Sequence, residues 1–199
     1  DRSPNGDPEW IFMLNRHEYM NKLLIAGWLT GDKAYVEKLK WFLFHWIQAN
    51  PILPEGTVTT RTIDTGIRCM SWQYLLLHLL GEGLMEEREA AGILESMKEQ
   101  FASLRKRYIG KYTLSNWGVL QTASICNGYL WFHEYLPSDG TEDWAWQELE
   151  RQIGLQVLDD GAHWEQSMMY HMEVLLACMK LLASCRAWVR IEKRTEFWR

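Results

Sequence analysis

At 199 residues the chain is long enough for one well-buried domain, and 47% hydrophobic with 24% charged residues excludes a disordered polypeptide. No apolar run approaches the roughly 18 to 20 residues of a membrane-spanning helix, and no secretory leader precedes the first helix. A formal charge of -5 argues against a nucleic-acid partner, because proteins that grip phosphate backbones carry a basic excess.

In chain order, Asp7-Pro8-Glu9 predicts a helix start, with Asp7 as N-cap, Pro8 in the first turn and an acid at the positive end of the dipole. This first helix is expected to run to about Leu29. Gly31 then takes a left-handed C-terminal position, and Asp32 caps a second helix whose Leu39, Phe42, Leu43, Trp46 and Ile47 follow helical spacing. So short a connection makes the two antiparallel neighbours. Pro51 and Pro54 open a loop to Thr60, a third helix spans Ile63 to Leu80, and a fourth, polar on one side, spans Met85 to about Tyr108. A fifth helix starts at Ser115 or Asn116 and ends before Pro137. A sixth runs from Thr141 towards Gly161. A seventh, from about Trp164 to Val189, is apolar almost all round and is expected to be an inner helix.

No segment shows convincing strand alternation. Seven helices joined by short turns predict an all-α fold of antiparallel helical hairpins, either an incomplete α/α toroid or a plain bundle. The four cysteines have no C-x-x-C spacing and read as small buried hydrophobes. Twelve tryptophans exceed what a core of this size needs, which leaves some for stacking on flat ligands such as sugar rings.

Polar groups concentrate at the mouths of two otherwise buried helices, where they cost free energy unless paired or used. The first run is Leu114-Ser115-Asn116-Trp117-Gly118-Val119-Leu120-Gln121, and the second is His163-Trp164-Glu165-Gln166-Ser167-Met168-Met169-Tyr170-His171. Asn116 reads either as an N-cap or as a functional amide, and Gln121 and Tyr170 as core residues or ligand contacts. His163, Glu165 and His171 match no metal-ligand spacing such as H-E-x-x-H. Near the start of the third helix, Arg61, Asp64 and Arg68 fall at spacings of three and four. They form either an ion-pair triad or a net-positive clamp for a carboxylate or sulfate. Nucleophile elbow, P-loop and dinucleotide fingerprints are absent, and the residues call for no cofactor.

Four runs together carry a resemblance: Asp7-Pro8-Glu9-Trp10 with Asn15-Arg16-His17; Arg61-x-x-Asp64-x-Gly66-x-Arg68; Ser115-Asn116-Trp117-Gly118; and Gly161-x-His163-x-Glu165-x-Ser167-x-x-Tyr170-His171. In this order, over nearly the whole chain, they resemble the N-terminal α/α-toroid domain of the heparinase II/III polysaccharide lyases. The resemblance implies a single toroid domain over residues 1–199 that cleaves uronic-acid polysaccharides by β-elimination. It implies an asparagine and a tyrosine acting with a histidine from a following β-sandwich, which the chain does not reach. Asn116 and Tyr170 fall on the first two positions.

Loss of the C5 proton builds charge on the uronate carboxylate, which an uncharged donor such as Asn116 stabilises. Tyr170 serves as base, as acid, or as both, and an unperturbed phenol, ionising near pH 10, needs positive charge beside it to act as a base. Arg61, Asp64, Arg68, Trp117, Gln121, His163, Glu165 and His171 are then the expected substrate contacts. Trp117, where alginate-cleaving relatives tend to carry histidine, tilts the expectation towards heparan-sulfate-type polymers. The resemblance also implies a bacterial, periplasmic or secreted setting. Two rivals are an α/α-toroid glycoside hydrolase using Asp64 and Glu165, and a non-catalytic module that binds acidic polysaccharide.

Overall fold

The structure is a computed structural model that describes residues 5–197, with side chains described to residue 190. Among the described residues the fold is all-α, and the closest approach to a sheet is one isolated antiparallel bridge between Val157 and His163. The chain divides into two compact units, residues 1–107 and 108–199.

The first unit holds α1 (Pro8–Asn15), α2 (Met20–Thr30), α3 (Ala34–Ala49), α4 (Thr62–Gly81) and α5 (Glu87–Lys106), with a 3-10 turn at Val58–Thr60 before α4. Helices α2 and α3 pack as one hairpin and α4 and α5 as another. The expected start and turn signals hold here. Asp7 accepts the Glu9 amide at 2.9 Å, Gly31 is left-handed at φ 69°, and the Asp32 carboxylate accepts the Ala34 amide at 2.9 Å.

The expected first helix is in fact two. The chain turns at His17, which sits at φ 60°, a left-handed conformation that few non-glycine residues adopt. The ring explains the break: it stacks on Trp72, meets Trp46 edge-on, and accepts the Trp72 indole N–H on Nδ1 at 3.0 Å. A continuous helix would have carried His17 away from this socket.

Burial holds the His17 pKa down to about 2, with the neighbouring Arg68 charge adding to the effect. The unfolded chain therefore binds a proton below about pH 6.5 that the folded chain refuses, so stability falls with pH through that window. Between pH 7 and pH 5 this residue should remove about 2 kcal/mol. Urea unfolding of His17→Asn, which keeps a left-handed-tolerant residue without a titrating ring, should be less stable at pH 7 but lose less on acidification. Equal losses in the two proteins would contradict this assignment.

The second unit holds α6 (Asn116–Phe132), α7 (Thr141–Gln156) and α8 (Met168–Phe197), preceded by a 3-10 segment at Gly110–Leu114. Helix α6 packs on both α7 and α8 and is buried on nearly every side. Its glycine is forced: a Cβ on Gly118 would lie 2.1 Å from the Tyr112 carbonyl oxygen and 2.6 Å from Gln152 Nε2. Helix α8 starts four residues later than expected and departs from the inner-helix reading. Val174, Ala177 and Leu181 are buried, while Met172, Leu175, Leu176, Met179 and Leu182 remain exposed. Hydrophobicity all round a helix states what it can bury, not how many neighbours the chain supplies.

Candidate functional site

Two clusters in the first unit surround α4. Asp64 is 1% exposed and held by two arginines: Arg16 Nε donates to Oδ1 at 2.8 Å, while Arg61 donates to Oδ2 at 2.5 Å and to Oδ1 at 3.1 Å. Both arginines keep about a fifth of their side-chain surface exposed, and the Arg61 guanidinium lies 3.5 Å over the Phe12 ring. Arg61 also pairs with the Glu9 carboxylate at 3.6 Å, so two cations meet two carboxylates here, and the second cation is Arg16 rather than the Arg68 that the sequence spacing suggested.

Arg68, one turn further along α4, lies deeper in the fold. It has no exposed surface and donates to the Gln100 side chain at 2.9 Å, the Asn15 carbonyl at 2.8 Å, the Thr59 carbonyl at 3.1 Å and the Thr65 hydroxyl at 3.1 Å. Its guanidinium also lies 4.1 Å over the Trp46 ring. Burial lowers its pKa to about 10, which leaves it charged at neutral pH. Arg68 thus ties α1, the 3-10 turn and α5 to α4, and spacing alone could not distinguish that depth from a surface clamp.

The second unit gathers most of the other expected residues. Ser115, not Asn116, caps α6: its hydroxyl accepts the Trp117 amide at 3.3 Å. Asn116, the first residue of the helix, is therefore released from capping, and its Nδ2 donates to Glu165 Oε2 at 2.7 Å. The helix start consequently lies against the segment that leads into α8. Asn116 is buried, Glu165 keeps 18% of its side chain exposed, and Tyr170, in the first turn of α8, is 40% exposed. The Ser167 hydroxyl accepts the Tyr170 amide at 3.4 Å and so acts at the start of that helix. Asn116 and Tyr170 both occupy the positive ends of helix dipoles, a setting that favours negative charge.

His163 is buried with both ring nitrogens engaged. Nδ1 accepts the Glu165 amide at 3.3 Å, which leaves the proton on Nε2 to be donated to Gln156 Oε1 at 2.8 Å. Burial lowers its pKa, outweighing the nearby Glu165 carboxylate, so the ring is a neutral strut at neutral pH. His171 follows Tyr170 in the first turn of α8, its amide bonded to the Ser167 carbonyl. Trp117 stacks on Tyr112 with ring centroids 6.0 Å apart. Gln121 is fully buried, donates Nε2 to the Trp117 carbonyl at 3.0 Å, and leaves Oε1 without a hydrogen-bond partner.

A polar stripe on α7 was not anticipated. Glu148, Gln152 and Gln156 repeat every four residues and are all buried. Glu148 accepts from Tyr108 and Thr113, Gln152 bonds Tyr108 and Thr122, and Gln156 reaches the segment before Asn116. The carboxylate beside Tyr108 adds to burial in raising that phenol to about 12. The i, i+4, i+8 spacing was the available signal, but amphipathic reading assigns polar residues to the solvent face. Among the described residues no group of three or more His, Cys, Asp or Glu is placed to hold a metal ion.

The chain was compared with known proteins. The family model described as Heparinase II/III N-terminus matches residues 1–196. Neither the curated proteins nor the solved structures gave a match.

Proposed function

We propose, for a chain that belongs to the heparinase II/III N-terminal family, that this polysaccharide-lyase-type domain acts on uronic-acid polymers by β-elimination. The observation that carries the reading is the Asn116–Glu165 hydrogen bond, which sets an uncharged amide donor beside the segment leading into Tyr170. Asn116 stabilises the charge that develops on the uronate carboxylate as the C5 proton leaves. Tyr170 accepts that proton and returns one to the departing C4 oxygen, which gives an unsaturated uronate at the new non-reducing end. A histidine from a β-sandwich domain supplies the third catalytic group. The chain forms one toroid domain in this reading and works in a bacterial periplasm or outside the cell.

Glu165 and His171 border the site. Trp117 offers indole surface to sugar rings, and the fully buried Gln121 supports it from within through its bond to the Trp117 carbonyl. In the first unit, taken by itself, Asp64 orients the part-exposed Arg16 and Arg61, which are the proposed contacts there for acidic substituents. Arg68 and His163 support these groups from within the fold. The pairing of Asp64 with two arginines speaks against the hydrolase alternative, because both of its oxygens are already occupied. No helix among the described residues is long and apolar enough to cross a membrane.

Heparan sulfate is the proposed polymer class. Incubation with heparan sulfate, heparin, hyaluronan, chondroitin and alginate should give ultraviolet absorbance from the unsaturated product, strongest with heparan sulfate. Binding to these polymers without any product would favour a non-catalytic module, and a strongest signal with alginate would refute the substrate class.

A further inference from the structure

The segment that delivers Asn116 is held by its carbonyls. Gln156 Nε2 donates to the Thr113 carbonyl at 2.8 Å and to the Ser115 carbonyl at 3.2 Å, and Trp164 Nε1 donates to the Leu114 carbonyl between them at 2.8 Å. Three successive carbonyls are thus gripped by two side chains. Those side chains are joined in turn: the Gln156 backbone carbonyl accepts the Trp164 amide at 2.8 Å, and its side-chain oxygen accepts from His163. Gln156 has no exposed surface, so each of its groups would be costly to leave unpaired. A buried glutamine at a helix end is not required for α7 to stop there. Its three side-chain bonds instead all run to the two segments flanking the Asn116–Glu165 pair.

We propose that Gln156 and Trp164 form a carbonyl clip that positions the Asn116 amide, so that one N–H stays on Glu165 and the other is presented to a uronate carboxylate. The proposal rests on the lyase reading of Asn116. An amide at a helix start can rotate or exchange its nitrogen and oxygen ends. Glu165, which only accepts, selects the nitrogen end, and the clip fixes the distance at which that selection operates. Gln156 and Trp164 are positioning residues here, acting through Asn116.

The test compares the wild-type chain with Gln156→Met and Trp164→Phe, the second being a mild change that keeps the aromatic bulk. The first readout is the Asn116 side-chain amide in 15N-labelled protein, identified by its loss in Asn116→Ala. The second is kcat against KM on heparan sulfate. The clip predicts that the amide resonances move in both variants, and that kcat falls about tenfold to a hundredfold while KM changes less than about threefold. If Gln156→Met does not fold, Trp164→Phe alone carries both readouts. Unmoved Asn116 resonances in a folded variant would overturn the clip, and moved resonances with wild-type kcat would overturn its bearing on catalysis. Absence of turnover in the wild type on every polymer would be a failure of the lyase reading, and the resonances would still decide whether the clip holds Asn116.

Discussion

Arg68→Met should destabilise the first unit by about 3 to 5 kcal/mol, the largest stability effect expected of a single side chain in this protein. The methionine fills much of the space but leaves two backbone carbonyls, the Thr65 hydroxyl and the Gln100 side-chain oxygen without their donor. Buried acceptors stripped of partners cost more than the hydrogen bonds themselves were worth. Arg68→Lys should be nearly as damaging, because one ammonium cannot span acceptors that a planar guanidinium reaches from three nitrogens. Urea unfolding followed by tryptophan emission would report this directly, since Trp46 lies against the guanidinium. A loss below about 1 kcal/mol, the size expected of an exposed pair, would show that the four bonds do not anchor the unit.

Asn116→Ala should lower kcat on the uronate polymer by a factor on the order of 100 to 1000, the usual consequence of removing one donor to a developing oxyanion. KM should change little, because the amide acts chiefly on charge that appears in the transition state. Asn116→Asp is a sharper version of the same test. It would set a second carboxylate against Glu165 Oε2, now 2.7 Å from the amide nitrogen, and would repel the uronate as well. It should therefore be no more active than the alanine variant. A kcat within about threefold of wild type for Asn116→Ala would remove the amide from the proposed chemistry.

Local signals in the sequence placed most of the helices. Asp7, Gly31 and Asp32 each perform the turn or cap role that their chemistry prescribes, and α4 to α6 begin and end within a few residues of the expected positions. What the sequence did not reveal depended on partners far along the chain. His17 breaks a periodic helix because two tryptophans, 29 and 55 residues away, offer its ring a socket. Arg68 shares a spacing with Arg61 and Asp64, yet helical periodicity gives a direction around the axis and not a depth. Arg16 joins Asp64 across 48 residues, which no local pattern encodes.

At the candidate site, the two polar runs were legible because polar groups at the mouths of buried helices are expensive. Their junction was not. That Ser115 rather than Asn116 caps α6 depends on which side chain finds a better partner, and Glu165 lies 49 residues further on. Gln156 went unnoticed because a glutamine near the end of a mixed helix is ordinary until its three bonds are seen. The apolar surface of α8 was read from composition, but burial also requires a neighbour.

The most direct test of the central claim is the appearance of C4–C5 unsaturated uronate from heparan sulfate, followed by ultraviolet absorbance, for wild type and Tyr170→Phe. It should be made with the chain alone and with the chain joined to a β-sandwich domain of the kind the proposal invokes. The account predicts absorbance growth that depends on the protein and is lost in Tyr170→Phe, while the variant still binds the polymer. New reducing ends without unsaturation, or a Tyr170→Phe protein that retains the wild-type rate, would contradict it.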